Sequence, residues 1–448
     1  MKQASLLSRV ICMLFICSML ACKKNDVPVA PSDGIQHALI TKALTATGDV
    51  AVPVSWYQLE LKLIKESAGF TPPVAARAIA YTGVTLHEAV LGSMNRAPSL
   101  AGQLTGLQVL PAPERGQQYN WAVAANSAMA QIIRSLFPNA SATNLALIAQ
   151  LEQDNQQAHS GGCSAAVITR SVNFGKLIAT AIYQWSATDG GKDGYLNNFP
   201  SDYIPPTGPG YWIPTPPLFQ PAMLPYWGNN RPLLKGAEAD LMPPAFSTNS
   251  DSPFYRAADE VYQKGKTLTP EEKNIAQYWA DGGGTFTPPG HLVGLTAQLV
   301  NDEQLTLGAA ATLLAQVGIG LNDAAILCWK YKYKYNLIRP VSYIHRYIDS
   351  TWTPLIGTPP FPSYTSGHAT FTSATGNILA AYFGNSYAFT DNQKAADGFT
   401  PRAFNNFTDM INEAAVSRVY GGIHYTFDSD AGKTTGKQIA NQVLSLHY

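Results

Sequence analysis

The sequence predicts an all-α protein built of helical bundles. Three observations carry this: apolar residues recur at three- and four-residue spacing over long stretches, alternation of apolar and polar residues is rare, and the clearest boundary signals are helix caps. In chain order, the spacing predicts helices over residues 74–91, 119–136, 142–157 and 165–185. Thr269-Pro270-Glu271-Glu272 is a strong helix start, with Thr as cap, Pro in the first turn and Glu three residues on, and the helix runs to about Ala280 before Gly282. Further helices are predicted over 292–299, 305–330, 369–383, 404–420 and 432–446. Two stretches read as non-helical: 189–244, dense in Gly, Pro and aromatic residues, and 342–365, rich in Pro, Ser and Thr. Loops this long are commonly functional, and their Trp and Tyr content points to a packed cover or lid over a site.

Composition narrows the function classes. The 448 residues are 46% hydrophobic and only 13% charged, enough apolar material for a sizeable core and too much for a disordered chain. Thirty Lys plus Arg balance thirty Asp plus Glu, so no basic excess exists to neutralise a phosphate backbone, and nucleic acid is excluded as an expected partner. Beyond the first 22 residues, Cys163 and Cys328 stand isolated and do not form a disulfide scaffold.

The amino terminus reads as a targeting segment. Lys2 and Arg9 precede an apolar run from Val10 to Leu20, of signal-peptide rather than membrane-span length. Met19-Leu20-Ala21-Cys22 resembles a bacterial lipobox, with Met where Leu is commoner, which implies acylation at Cys22. The expectation is export and anchorage to the cell envelope by this lipid alone. The chain then divides into a signal (1–22), a tether (23–48), an amino-terminal helical region with the aromatic loop (49–265) and a catalytic region (266–448).

Cations and histidines concentrate in three segments of the last quarter. Lys332 is followed after six residues by Arg339-Pro340; Ser366-Gly367-His368 opens a helix; Ser417-Arg418 is followed by His424 and Asp428. Lys332, Arg339 and Arg418 supply positive charge suited to an oxyanion, the arginines in bidentate geometry. Ser366 and the Gly367 amide sit at a helix amino terminus, where free N–H groups favour an anion and glycine permits close approach. Two histidines remain, one to bond a central atom and one to move protons.

Lys-x6-Arg-Pro, Ser-Gly-His and Ser-Arg-x5-His-x3-Asp, in this order, resemble the three signatures of the type 2 phosphatidic acid phosphatase and vanadium-dependent haloperoxidase superfamily. One departure is Thr365, where the family carries Pro before Ser-Gly-His. Trp329 and Phe361 look like the aromatic positions on the halide side of vanadium chloroperoxidases. The stretches Tyr278–Gly282 and Thr287–His291, the segment around His87 and the loop through Trp227-Gly228 are similar to the bacterial haloperoxidase branch.

The resemblance implies vanadate as cofactor, hydrogen peroxide and halide as substrates, and a chloroperoxidase-like helical fold. It makes His424 the residue that bonds vanadium, or the nucleophile toward phosphorus in a phosphatase, with Asp428 orienting its other ring nitrogen. It makes His368 the acid-base group, Lys332 the group that polarises peroxide, and Lys332, Arg339, Ser366, Gly367 and Arg418 the oxyanion ligands. Asp281 is expected to pair with Arg418. His87, within an apolar stretch, reads as a hydrogen-bonded core histidine, while His291 could line the site or cap a helix. His37, His159, His345 and His447 receive no role.

Two activities follow. The first is a haloperoxidase oxidising iodide or bromide with peroxide. The alternative is an exported acid phosphatase working through a phosphohistidine. A surface lipoprotein keeping the pocket only as a relic is disfavoured by the intact residues at every signature position.

Overall fold

The computed structural model describes residues 49–236 and 241–448; the expected signal, lipobox and tether lie outside the described residues. Thirteen α-helices form among the described residues, and their starts follow from local chemistry. Helix α1 spans Ala51–Glu66 and α2 Pro72–Val90, the latter opened by two prolines. Helices α3 (Trp121–Leu136), α4 (Ala142–His159) and α5 (Ala165–Ser186) begin at Asn120, Ser141 and Ser164, whose side chains each accept a backbone N–H of the first turn. Helices α6 (Pro253–Thr267) and α7 (Pro270–Tyr278) follow the long aromatic loop, and Thr269 and Glu272 close the expected capping box. Then come α8 (Thr287–Asp302), α9 (Leu307–Tyr335), α10 (Pro340–Tyr347), α11 (Gly367–Phe383), α12 (Phe407–Tyr420) and α13 (Thr426–Leu444).

The 29-residue α9 is the axis of the molecule. Its length and apolarity would suit a membrane span, yet 89% of its most apolar window is buried inside the fold, so it is a core helix. It lies along α2 on one side and against α11 and α13 on the other. Close contact with α2 depends on glycine: a Cβ on Gly318 would stand 3.0 Å from the Ala80 Cα, and one on Gly83 would stand 2.9 Å from the Leu314 carbonyl oxygen. Helices α3 to α5 pack outside α2, and α12 flanks α11 and α13.

Three helices stand where none is predicted from sequence: α1, α6 and α10. The last falls in part within the stretch 342–365 expected to be non-helical; Pro340 presets the first-turn φ, and Val341 and Ile344 bury the inner face. One short antiparallel hairpin, Phe389–Asp391 (β1) with Arg402–Phe404 (β2), interrupts the all-α pattern. The described part of the loop 189–244 packs over the bundle: Trp212 and Trp227 are buried, and Met223 N–H donates to the Pro360 carbonyl at 2.9 Å.

Candidate active site

The last turn of α9 delivers Lys332, and the helix stops because Asn336 takes a left-handed conformation (φ 45°) that turns the chain. Trp212 and Ile338 fasten that turn to the aromatic loop through Trp212 N–H to Asn336 O (2.7 Å) and Ile338 N–H to Gly210 O (3.0 Å). Arg339 then caps α10, Ser366 caps α11 and Arg418 ends α12. His424 follows a Gly421-Gly422 turn, and Asp428 sits in the first turn of α13. Helix ends from five elements therefore meet at one place, the usual way a bundle assembles a polar site without breaking its own hydrogen bonds.

His424 and Asp428 form the best-defined pair. His424 Nδ1 is 2.8 Å from Asp428 Oδ2, and that oxygen also accepts Ser363 Oγ–H at 2.5 Å and the Tyr425 N–H at 3.2 Å. Burial, followed by Arg339 and Lys332, holds the His424 ring well below the ordinary histidine range, so it is neutral. A neutral ring donating from Nδ1 to a carboxylate keeps its lone pair on Nε2. Arg339 Nη1 stands 3.2 Å from that nitrogen.

The cations are fixed by carbonyls. Arg339 donates Nε to Phe361 O (2.8 Å) and Nη1 to Ile423 O (2.7 Å); Arg418 donates Nη1 to Trp279 O (2.6 Å). What remains is directional: the donors Arg339 Nη2 and Arg418 Nε, and the accepting Nε2 of His368, are buried and have no partner among the described residues. Leaving buried, charged donors unpaired is costly, and an oxyanion supplies the acceptors they lack. Gly367 fits the same ligand. A Cβ there would meet protein atoms only at 3.6 Å (Phe371) and beyond, so packing does not demand glycine and an approaching oxyanion would. Among the described residues no group of three or more His, Cys, Asp or Glu is placed to hold a bare cation. His368, partly exposed, is held well below its ordinary range by burial and by Arg418.

Lys332 differs from expectation in its contacts. Its ammonium is fully buried and donates to three carbonyls, Pro362 (2.9 Å), Ser363 (3.0 Å) and Thr365 (2.5 Å). All three donors are used, so as placed Lys332 contributes charge, and it reaches a ligand directly only by releasing one carbonyl. Trp329 and Phe361 flank it, with ring centroids 5.0 Å apart and the Lys332 Nζ 4.8 Å from the Phe361 ring centre. Trp329 Nε1 donates to Met223 O at 3.3 Å, tying the aromatic loop to this wall.

The expected Asp281–Arg418 ion pair does not form. Asp281 Oδ2 lies 2.9 Å from His291 Nδ1, and its Oδ1 lies 3.3 Å from Lys394 Nζ. Arg418 instead meets the Trp279 carbonyl two residues earlier. His291 accordingly neither lines the site nor caps a helix, being sealed inside α8. His87 is a buried core residue: its Nδ1 is 3.4 Å from Thr312 Oγ1, and burial lowers it to about 4. Residue type and spacing alone do not single out Ser363, Asp391 or Lys394; of the three, only Ser363 lies inside a motif, Phe361-Pro362-Ser363-Tyr364.

Comparison with known proteins identifies the family. Residues 312–447 match the family model of the VCPO second helical-bundle domain. The curated vanadium chloroperoxidase of Curvularia inaequalis is 25% identical over 218 residues, a match covering 35% of this chain and about a third (36%) of the fungal enzyme. Among solved structures, a bacterial vanadium-dependent iodoperoxidase superposes with a TM-score of 0.79 at 30% identity, covering 88% of this chain and 95% of that one. An apo bacterial vanadium-dependent chloroperoxidase shares the fold, with a TM-score of 0.64 at 16% identity over 84% of this chain and 94% of that one. With the three signatures converging on one buried set of donors and a relative matched over nearly its whole length, the chain belongs to the vanadium-dependent haloperoxidase family.

Proposed function

We propose that this protein is a vanadate-dependent haloperoxidase that uses hydrogen peroxide to oxidise iodide or bromide to the hypohalous acid. The observation that carries the reading is the pair of unpartnered buried donors, Arg339 Nη2 and Arg418 Nε, gathered with the unpartnered Nε2 of His368 around a neutral His424 whose Nε2 lone pair, now 3.2 Å from Arg339 Nη1, would be taken up by a central atom. His424 would hold vanadate, with Arg339, Arg418, Ser366 and the Gly367 N–H on its oxygens and Lys332 adding charge from its carbonyl cage. Bound vanadate supplies the Lewis-acidic centre at which peroxide is activated toward halide. Asp428 keeps the His424 proton on Nδ1, and Ser363 keeps Asp428 in place. His368, neutral, accepts a proton from incoming peroxide or returns one to a leaving oxygen.

Trp329 and Phe361 form the wall on which halide would rest, and their apolar faces suit a large, weakly hydrated anion. Iodide and bromide are also more easily oxidised than chloride, and the relative at 30% identity is named an iodoperoxidase. The same pocket suits phosphoryl transfer, with His424 as nucleophile, so the test separates the two. Phosphate-free protein is divided: one portion receives orthovanadate, peroxide and iodide, the other a chromogenic phosphate monoester at mildly acid pH. Vanadate-dependent iodide oxidation with negligible phosphate release is expected; phosphate release without peroxidase turnover overturns the proposal. The sequence of residues 1–22 supports export and acylation at Cys22, which incorporation of a labelled fatty acid, lost in Cys22→Ala, would test.

A further inference from the structure

A second buried cluster lies behind the oxyanion residues. His291, in α8, is fully buried, with Nδ1 2.9 Å from Asp281 Oδ2 and Nε2 2.8 Å from Asp391 Oδ2. Ionised carboxylates only accept hydrogen bonds, so both ring nitrogens carry protons and the ring is an imidazolium. The charges agree: burial opposes protonation, but the two carboxylates raise His291 to about 10. Lys394 stands 3.3 Å from the free oxygen of Asp281 and 3.1 Å from Asp397 Oδ2 at the cluster's outer edge, so three carboxylates meet two cations.

Burying such a set costs desolvation energy that an apolar cluster of equal volume would avoid. What it supplies that an apolar cluster cannot is direction. Asp281 has a φ of 40°, a left-handed conformation that a non-glycine residue keeps only when its surroundings hold it. His291 grips its carboxylate and also stacks on Trp279, ring centroids 4.9 Å apart and planes 19° from parallel. Both ends of the Trp279–Asp281 corner are therefore held by one ring. The Trp279 carbonyl accepts Arg418 Nη1 at 2.6 Å, and the Trp279 backbone also hydrogen-bonds His368. The β1–β2 hairpin delivers Asp391, the other jaw of the clamp.

We infer that His291 is a positioning residue for the oxyanion site: clamped between Asp281 and Asp391, it sets the Trp279–Asp281 corner so that the Trp279 carbonyl aims Arg418 and leaves its Nε directed at the bound oxyanion. The inference rests on the reading of Arg418 as an oxyanion ligand.

The test measures calorimetric binding of orthovanadate and, separately, inorganic phosphate to the full chain as wild type, His291→Gln and Asp391→Asn, with a thermal midpoint for each. A glutamine has one donor nitrogen in place of the two that face the carboxylates from opposite edges of the ring, whereas the amide introduced by Asp391→Asn can donate to a neutral His291 and leave the ring in place. His291→Gln is expected to weaken both anions by about tenfold or more, and Asp391→Asn by less than about threefold. A merely structural role would lower the thermal midpoint in both and leave affinity alone, so anion affinities within about twofold of wild type in folded His291→Gln overturn the inference. If His291→Gln does not fold, Asp391→Ala, which opens one jaw, is expected to weaken both anions by about threefold to tenfold; unchanged affinity there also overturns it. Wild type that binds both anions but oxidises no halide would defeat the proposed activity while the variants still decide the role of His291. Wild type that binds neither anion defeats both.

Discussion

Asp428 Oδ2 sits 2.8 Å from His424 Nδ1 and at the same time accepts the Ser363 hydroxyl, so one carboxylate oxygen fixes both the tautomer and the orientation of the ring. The lone pair on Nε2 is a consequence of this contact, because a neutral imidazole that donates at one nitrogen accepts at the other. Loosening the pair should weaken vanadate without dismantling the pocket. Asp428→Asn is expected to reduce vanadate affinity by about 10- to 100-fold, the usual consequence of losing the partner of a metal-bound histidine. Titration of the variant with orthovanadate checks this, and wild-type affinity would remove Asp428 from the account.

His368 is separable from binding. Its Nε2 has no partner among the described residues, and burial with Arg418 keeps it neutral. His368→Ala is expected to retain vanadate yet lose roughly 100- to 10,000-fold in turnover, the range typical of a lost acid-base group. Vanadium content and iodide oxidation measured on one preparation distinguish this outcome from general damage.

Gly367 gives the sharpest separation of stability from ligand fit. An added Cβ meets only ordinary contacts, with Phe371 at 3.6 Å, so Gly367→Ala should change the thermal midpoint little. The same methyl would crowd an oxyanion held by the Gly367 N–H, and vanadate affinity should fall by about tenfold or more. A variant that loses stability but binds vanadate normally would show that the glycine serves packing.

Far from the site, Glu60 makes a pH prediction. It is fully buried, accepts one hydrogen bond from Thr82 Oγ1 at 2.9 Å, and burial raises it from 4.5 to about 8. A carboxyl raised in the folded state binds its proton more tightly there than when unfolded, so its stabilising contribution is full below the unfolded value and is lost as pH rises. The penalty grows by about 1.4 kcal/mol per pH unit between these two values and is constant above the upper one. Glu60→Gln is therefore expected to match wild type near pH 4.5 and exceed it in thermal stability at pH 8. Parallel melting curves at the two pH values test this; an equal gap at both would contradict it.

Much of this protein was legible in its sequence because the signals were local. Capping chemistry at Thr269 and the three- and four-residue spacing over α3, α4 and α5 depend only on neighbours, and the structure repeats them to within a few residues. The three signatures were legible because each lies at a helix end where residue type is set by the ligand rather than by packing. Helix α1 escaped because Leu59-Glu60-Leu61-Lys62-Leu63 alternates as a strand would, and because Glu60 is buried among apolar residues, which breaks the helical stripe. The partners of Asp281 escaped for another reason: Lys394, and the Asp391 that holds the far side of His291, come from a connection about a hundred residues downstream, and no spacing rule reports which buried cation a carboxylate meets. The carbonyl cage of Lys332 was equally invisible, since it is made of backbone and carries no residue-type signal.

The most direct test of the central claim is vanadium content after exhaustive dialysis of vanadate-loaded wild type and His424→Ala. About one vanadium per chain is expected in wild type and none in the variant, since the side chain that would bond the metal is gone. Stoichiometric vanadium retained by His424→Ala would contradict it.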